Sequence, residues 1–498
     1  MYLVTMYPGL VGIGDTPKLQ FVGAVLGTPH SPGYPLYIWL SWLFSKLPFG
    51  TLAFRINLMS VVCGASAVGL MVLVLRELGC SRIIAFAGAL GVGFGRLFWS
   101  QMLLAEVYAL NALLFAGVLL FLLRWARTRR YADLMWSLVF FAAGLAHHLT
   151  LAMTAPALFA FALLVDRHVL TARTVKWAFV ICLTGLSCYF FVWLRTYQQA
   201  PFLEVRANNL SELIGIMTGR QFSTALFRFS PEELADMRTP MIGTWLLGEL
   251  RWIGLALAAI GAVWLLLRRY RNLVLLGGSA AMVGAFALNY GVYDIQVFLI
   301  IPMIALGLMA GVGIEALRRQ AGGRGMLPAT IAAAAVVLTF SQYRANFRFN
   351  NHHQHTFEAQ YFDALFKALP DRSAIVAESY TVDHMVLYKL LGENAAHGRR
   401  IEIIPADVNV VRRYAASGFT IYAFANGRAE LELKIPFAVA NLDLPTASGA
   451  RHLADTEVQQ LAYSPLSVVT LGTGRARAGD PARPPEPMTG AIWRPNPQ

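Results

Sequence analysis

INLMSVVCGASAVGLMVLVL, residues Ile56 to Leu75, runs for twenty positions without a charged side chain. At 1.5 Å per residue a helix of that length covers about 30 Å, the thickness of a bilayer's hydrocarbon core. Arg55 bounds the run on one side and Arg76-Glu77 on the other. Similar apolar runs follow at Ile83 to Trp99, Tyr108 to Leu123, Leu134 to Ala146, Leu149 to Val165, Trp177 to Leu194, Trp252 to Leu267, Leu273 to Asn289, Val297 to Leu317 and Met326 to Phe340. Hydrophobic residues make up 57% of the chain and charged residues 14%, against roughly 25% charged in a soluble protein. Too few charges are present to solvate 498 residues as a globule. The chain reads as an α-helical polytopic membrane protein with about ten or eleven transmembrane helices.

The formal charge of +13 raises nucleic acid as a partner, and its distribution removes it. The first 341 residues hold 25 Lys+Arg against 13 Asp+Glu, and the rest hold 16 against 15. Fifteen of those 25 sit in five short loops: Arg76/Arg82, Arg124/Arg127/Arg129/Arg130, Arg167/Arg173/Lys176, Arg268/Arg269/Arg271 and Arg318/Arg319/Arg324. Basic residues in short loops set orientation in a bilayer, and this set marks the cytoplasmic side. The alternation holds if Tyr34 to Phe49, with Lys46 and two prolines, lies in the interface instead of crossing. Met1 to Ile13 reaches about 20 Å, short of a full span, and reads as the outer end of an incomplete first helix. A start codon placed too late or a truncated chain would account for it. No basic n-region or cleavage site precedes Asp15, so it is not a secretory signal.

Three regions follow: a transmembrane domain over 1–341, with an outer loop at 14–55 and a long outer loop at 196–250; a small soluble α/β domain over 342–477, extracytoplasmic by parity; and a Pro/Arg-rich tail, 478–498, that reads as disordered. In the α/β domain the pattern predicts helices at Thr356 to Leu369 and Val382 to Leu391. It predicts strands at Ser373 to Ala377, Ile401 to Ile404, Thr420 to Phe424 and Ser467 to Leu471.

Carboxylates near lipid are costly, so their positions are informative. Asp15, Glu106 and Asp294 all fall at the outer face, as does the His147-His148 turn. Each has a structural alternative: a turn or cap for Asp15, an interfacial partner of Arg96 for Glu106, a hairpin cap for the histidines, a loop residue for Asp294. His352-His353-Gln-His355 resembles a metal tract but reads as solvated juxtamembrane residues. Asn209-Leu-Ser211 matches a glycosylation acceptor weakly. The four cysteines lack zinc spacing and read as packing residues. There is no phosphate-binding Gly-rich loop and no Asp-x-Asp pair. Gly91-Val-Gly93-Phe-Gly95 lies inside an apolar run, where helix packing is the better reading. An ATP-driven pump is not supported.

Gly14-Asp15-Thr-Pro-Lys-Leu, Gly27-Thr-Pro-His30-Ser-Pro-Gly-Tyr34-Pro-Leu-Tyr, Phe54-Arg55-Ile-Asn57-Leu, Trp99-Ser-Gln101 through Glu106-Val-Tyr108-Ala-Leu-Asn111, and Tyr290-Gly-Val-Tyr-Asp294-Ile-Gln-Val-Phe298 resemble, in that order, the protein O-mannosyltransferase-like family of bacterial multi-pass proteins in the GT-C glycosyltransferase superfamily. The resemblance implies a GT-C fold, a polyprenyl-phosphate-linked sugar donor, a hydroxyl acceptor on a protein or glycan, and an inner-membrane enzyme working on the extracytoplasmic face with inversion. It implies Asp15 as general base. Arg55 and Arg220, with Lys18 and Arg206 behind them, would meet the leaving phosphate. Glu106, Tyr108, His30, Tyr34, His147 and Asp294 would shape the sugar or acceptor pocket. The family usually carries an acidic residue three positions after its catalytic Asp, where this chain has Lys18. No cofactor is assigned, and a divalent metal stays open. A transporter or flippase for a lipid-linked sugar is the competing class, for which repeated halves and midplane charges are expected; no such repeat is found and mid-helix charges are few. A membrane scaffold whose soluble domain binds a partner is the third.

Overall fold

The computed structural model describes residues 1–322, 325–432, 437–441 and 467–471. Each of the ten apolar runs coincides with helical structure. Helices at Leu52–Glu77, Tyr108–Thr128, Ala172–Tyr197, Ile295–Gln320 and Met326–Asn350 are long and apolar enough to cross a bilayer. The stretch Pro231–Asn289 meets the same test and breaks at Arg251 and Arg269, whose backbone angles leave the helical region. It therefore supplies the two predicted passes as a hairpin. Shorter apolar helices at Arg82–Gly93, Tyr131–Leu145 and Ala155–Val165 supply others, two of them continued by Arg96–Gln101 and preceded by Leu149–Met153.

Lipid offers no hydrophobic drive between helices, so close backbone contact at small residues must hold them together. Gly261 and Gly313 show this. A Cβ on Gly261 would stand 1.9 Å from the Met309 carbonyl oxygen, and one on Gly313 would stand 2.0 Å from that of Leu257. No side chain fits at either position. The Gly91 to Gly95 run also serves packing: Tyr2 donates to the Gly93 carbonyl at 2.6 Å. Cys63, Cys80, Cys182 and Cys188 are unpaired thiols.

Four expectations need correction. Met1 to Ile13 is helical only over Tyr2–Thr5. Beyond it the chain is irregular and held by side chains: Asn57 Nδ2 donates to the Tyr7 and Gly9 carbonyls at 3.1 and 3.2 Å, and Gln20 Nε2 to Gly9 at 3.1 Å. The helix opened at Met326 runs on to Asn350, so the composition change at Gln342 falls within it. His352 and His355 are not solvated. His352 stacks on Tyr7 with ring centres 4.1 Å apart, and His355 pairs with Glu358 at 2.5 Å, a carboxylate at helical spacing that the sequence reading overlooked. Arg96 does not face Glu106; its guanidinium lies over the Phe349 ring at 3.7 Å. Asn209 caps the helix Leu210–Met217 by accepting from Glu212 N.

Helix Pro35–Ser45, in the Tyr34 to Phe49 stretch, has eleven residues, about 16 Å of length, too short to cross. Trp39, Trp42 and Leu43 are exposed on it, the amphipathic pattern of an interfacial helix.

Past Asn350 a five-stranded sheet forms in the order β2-β1-β3-β5-β4, with β1 Ser373–Val376, β2 Ile401–Ile404, β3 Thr420–Ala423, β4 Phe437–Asn441 and β5 Ser467–Leu471. β1 is parallel to both β2 and β3, and β5 is antiparallel to β3 and β4. β1 is buried along its length, which the uninterrupted apolar Ala-Ile-Val permits. Helices Val408–Ala416 and Ala425–Glu432 and strand β4 were not anticipated. The tail 478–498 and Arg324 lie outside the described residues.

Candidate active site

At the end of the bundle opposite the arginine-rich loops is a cavity of about 290 Å³. Asp15, His30, Tyr34, Glu106, Tyr108 and Asp294 all contribute to its wall. Gly14 makes the turn that delivers Asp15: its φ is +49°, in the left-handed region that costs glycine least. Thr16–Val22 then starts as a helix with Pro17 in its first turn, where a missing N–H is no loss. Tyr34 is also left-handed, at φ 44°. A non-glycine residue held there stores strain, a feature that gathers at functional sites.

Asp15 is about three-tenths exposed while Lys18 is fully buried beneath it, with Nζ 2.9 Å from Asp15 Oδ1 and 2.9 Å from Glu204 Oε2. Lys18 also donates to His30 Nδ1 at 2.6 Å. An ammonium must donate, so Nδ1 is the acceptor and the proton of a neutral His30 sits on Nε2. That nitrogen lies 3.1 Å from the Tyr34 hydroxyl and 3.6 Å from Asp15 Oδ2. Glu204 is brought here by backbone pairing of the long loop with the first: Thr28 N donates to the Phe202 carbonyl at 3.0 Å, and Glu204 N to that of Thr28 at 2.8 Å. The Glu204 carboxylate accepts from His30 N at 2.9 Å. A second carboxylate thus reaches the site from position 204, with Lys18 between it and Asp15.

Burial raises the Asp15 carboxyl, but the Lys18 charge and hydrogen bonds from Tyr380 and Lys18 outweigh it and hold it well below the usual range. Burial lowers His30, and the Lys18 charge adds to this. Across the cavity the sign reverses. Burial, then the Asp15 charge, pushes Asp294 up to about 6 and Glu106 well above an ordinary carboxyl. Glu106 accepts from Thr16 Oγ1 at 2.9 Å and Asp294 from the Tyr108 hydroxyl at 3.5 Å. The site can therefore present an ionised carboxylate on one wall and proton-sharing carboxyls on the other.

Four expected residues lie elsewhere. His147 is buried behind the wall, its Nε2–H donating to the Val107 carbonyl at 2.8 Å; His148 is the member of the pair that lines the cavity. Arg55 spends its guanidinium on the Leu47 carbonyl at 2.7 Å, closing the turn before its helix. Arg206 is not on the wall. Arg220 is exposed between the wall residues Gly219 and Phe222. Among the described residues no lysine or arginine lines the cavity, and no group of histidines, cysteines and carboxylates could hold a metal ion. Glu204 and Tyr380, whose hydroxyl donates to Asp15 Oδ1 at 2.5 Å, were missed; neither stands in a local pattern that marks it.

Residues 15–172 match the family model described as the Protein O-mannosyl-transferase TMEM260 N-terminal domain. The Mus musculus Protein O-mannosyl-transferase TMEM260 is 37% identical over 121 residues, 24% of this chain and 17% of that protein. The match thus spans less than a fifth of that relative's length. The crystal structure of ArnT from Cupriavidus metallidurans bound to undecaprenyl phosphate superposes with a TM-score of 0.63 at 12% identity, covering 95% of this chain and 96% of ArnT. The oligosaccharyltransferase AglB from Archaeoglobus fulgidus, in complex with an inhibitory peptide and a dolichol-phosphate, gives 0.51 at 10% identity, covering 84% and 66%. The resemblance read from the sequence is borne out over residues 15–172, and the fold is a multi-pass helical membrane architecture like that of ArnT, with a small C-terminal sheet region.

Proposed function

We propose that this protein is a membrane glycosyltransferase that moves a hexose from a polyprenyl-phosphate-linked donor to a hydroxyl of a protein or glycan acceptor, with inversion, using Asp15 as general base. The observation that carries the reading is the partly exposed Asp15 carboxylate, paired with Lys18 at 2.9 Å, on the wall of a cavity of about 290 Å³. Its volume is near the lower end of the roughly 300–1,000 Å³ usual for ligand sites, a size suited to a sugar. The TMEM260 match begins at Asp15, and the fold neighbours are recorded with undecaprenyl phosphate and dolichol-phosphate.

In the reaction the acceptor oxygen attacks the anomeric carbon as its proton passes to Asp15. A carbon–oxygen bond forms on one face of the sugar, and the bond to the lipid phosphate breaks on the other. A low carboxyl pKa trades basicity for availability: Asp15 is ready to accept at any physiological pH, and a positioned base contributes about 10² to 10⁴ in rate. Glu106 and Asp294 hold sugar hydroxyls opposite it. The departing phosphate needs a fixed cation, and Arg220, one residue from the wall at Gly219, is the one we assign. On this reading the arginine-rich loops face the cytoplasm and the cavity opens on the extracytoplasmic side of a bacterial cytoplasmic membrane.

The test is release of polyprenyl phosphate by the purified full chain from a panel of polyprenyl-phosphate sugars, with a peptide library containing serine and threonine as acceptor. Wild type should turn over one of the donors and Asp15→Asn none. Full turnover by Asp15→Asn overturns the assignment.

A further inference from the structure

The residue that donates to Asp15 at 2.5 Å comes from 365 positions further along the chain. β1 ends at Val376, and the chain passes through Glu378 and Ser379 into helix Tyr380–Leu387. In parallel sheets the strand order reverses at a switch point whose carboxyl-end crevice is where such folds bind ligands. Here the order β2-β1-β3 puts that point beside β1. The Glu378 carboxylate fills it, accepting from Asn426 N at 2.9 Å and Gly427 N at 2.7 Å. The next side chain but one, Tyr380, reaches the membrane part.

Several contacts fix it there. The hydroxyl of Tyr388, the residue after Leu387, accepts from Ala53 N at 3.0 Å and donates to Glu393 Oε1 at 2.6 Å. His384 sits edge-on to Phe202, ring centres 5.9 Å apart, and lies 4.3 Å from the Tyr380 ring. Lys18 Nζ stands 5.0 Å from that ring's centre and donates to the Tyr380 hydroxyl. Oδ1 of Asp15 thus receives both Tyr380 and Lys18, while Oδ2 meets His30 at the longer distance of 3.6 Å.

We propose that Tyr380 is a positioning residue for Asp15: its hydroxyl occupies Oδ1 and leaves Oδ2 as the oxygen offered to the acceptor, so the C-terminal α/β region is part of the catalytic unit. This rests on Asp15 being the base. A carboxylate held by one donor fewer rotates about its Cβ–Cγ bond, and misplacement of a reacting atom by about 1 Å can cost 10²-fold in rate. Donor binding, which is made by the rest of the cavity, is left alone.

The experiment compares Tyr380→Phe, Tyr388→Phe and Asp15→Asn in the full chain, reading kcat and KM for release of polyprenyl phosphate from the donor that wild type uses, together with thermal melting. Tyr380→Phe should lower kcat about tenfold to hundredfold with donor KM within about twofold. Tyr388→Phe loses a bond in the same interface and should lower the melting temperature while kcat holds. If Tyr380→Phe turns over like wild type while Asp15→Asn is dead, the positioning role is refuted and the base assignment survives. If Tyr380→Phe and Tyr388→Phe lose kcat in proportion to their melting temperatures, the role is only structural and the proposal falls. If Asp15→Asn is active, both readings fall together.

Discussion

At the arginine-rich end of the bundle Glu77 is held by Arg124 and Arg127 and Glu315 by Arg318 and Arg319. At the cavity end Glu106 and Asp294 take hydrogen bonds from the hydroxyls of Thr16 and Tyr108, with no lysine or arginine on the wall among the described residues. The same residue type is neutralised at one end and left to share protons at the other. Carboxylates closed by arginine fasten helices to one another. Carboxylates facing a cavity without cations have hydrogen-bonding capacity left for a ligand. Asp15 stands between these cases, with Oδ1 tied to Lys18 and Tyr380 and Oδ2 turned to less.

That contrast can be broken most severely at Asp15 itself: Asp15→Asn should lower turnover by about 10² to 10⁴ with little loss of expression, since Lys18 keeps Glu204 as a counter-charge. Lys18→Met leaves two carboxylates at a buried site without their ammonium. Removing one partner of a buried pair costs about 3–5 kcal/mol, and the melting temperature should fall by many degrees; an unchanged melt would show that the cluster is not an ionic lock.

A smaller effect is expected in pH dependence. Asp294 is raised to about 6 by burial and the Asp15 charge, so it ionises as pH rises through 6, and a carboxylate accepts a sugar hydroxyl more strongly than its acid. Wild-type kcat/KM should fall severalfold as pH drops through about 6, and Asp294→Asn should be flat there. The linkage sign runs the other way for stability. The folded chain takes up this proton before the unfolded one, so the Asp294 contribution to stability weakens as pH rises from the ordinary carboxyl range through about 6. Smallest of all, Glu77→Gln at the opposite end should leave turnover untouched and shift stability by no more than about 1 kcal/mol, because Arg127 is more than half exposed and such pairs are screened.

Much of the fold was legible because membrane helices are local objects: twenty apolar residues declare a span wherever they stand. The hairpin at Arg268 to Arg271 was readable from its charges, and the interfacial helix from the alternation of basic loops on either side of it. Where a helix stops was less so. Met6 to Ile13 is as apolar as a helix, yet its backbone is satisfied by Asn57 and Gln20, and nothing local announces those partners. Asp15, Glu106 and Asp294 were recognisable as carboxylates placed where lipid penalises them, His30, Tyr34 and Tyr108 only through the family resemblance, and the cavity gathers all six. His147 was chosen by position and Arg55 by the resemblance, and both serve backbone carbonyls instead, because residue type reports the cost of burial and not the partner that relieves it.

By itself the sequence determined that the chain crosses a membrane many times, which end carries the positive charge, and that carboxylates collect at the other, since hydropathy and charge act residue by residue. Tertiary structure decided which of those carboxylates faces a cavity and which is closed by an arginine. It also decided that Glu204 and Tyr380, 189 and 365 positions from Asp15, meet it through Lys18 and a phenolic hydroxyl. Hydrogen bonds and ion pairs act over about 3 Å, and only the folded path of the chain brings such distant residues that close.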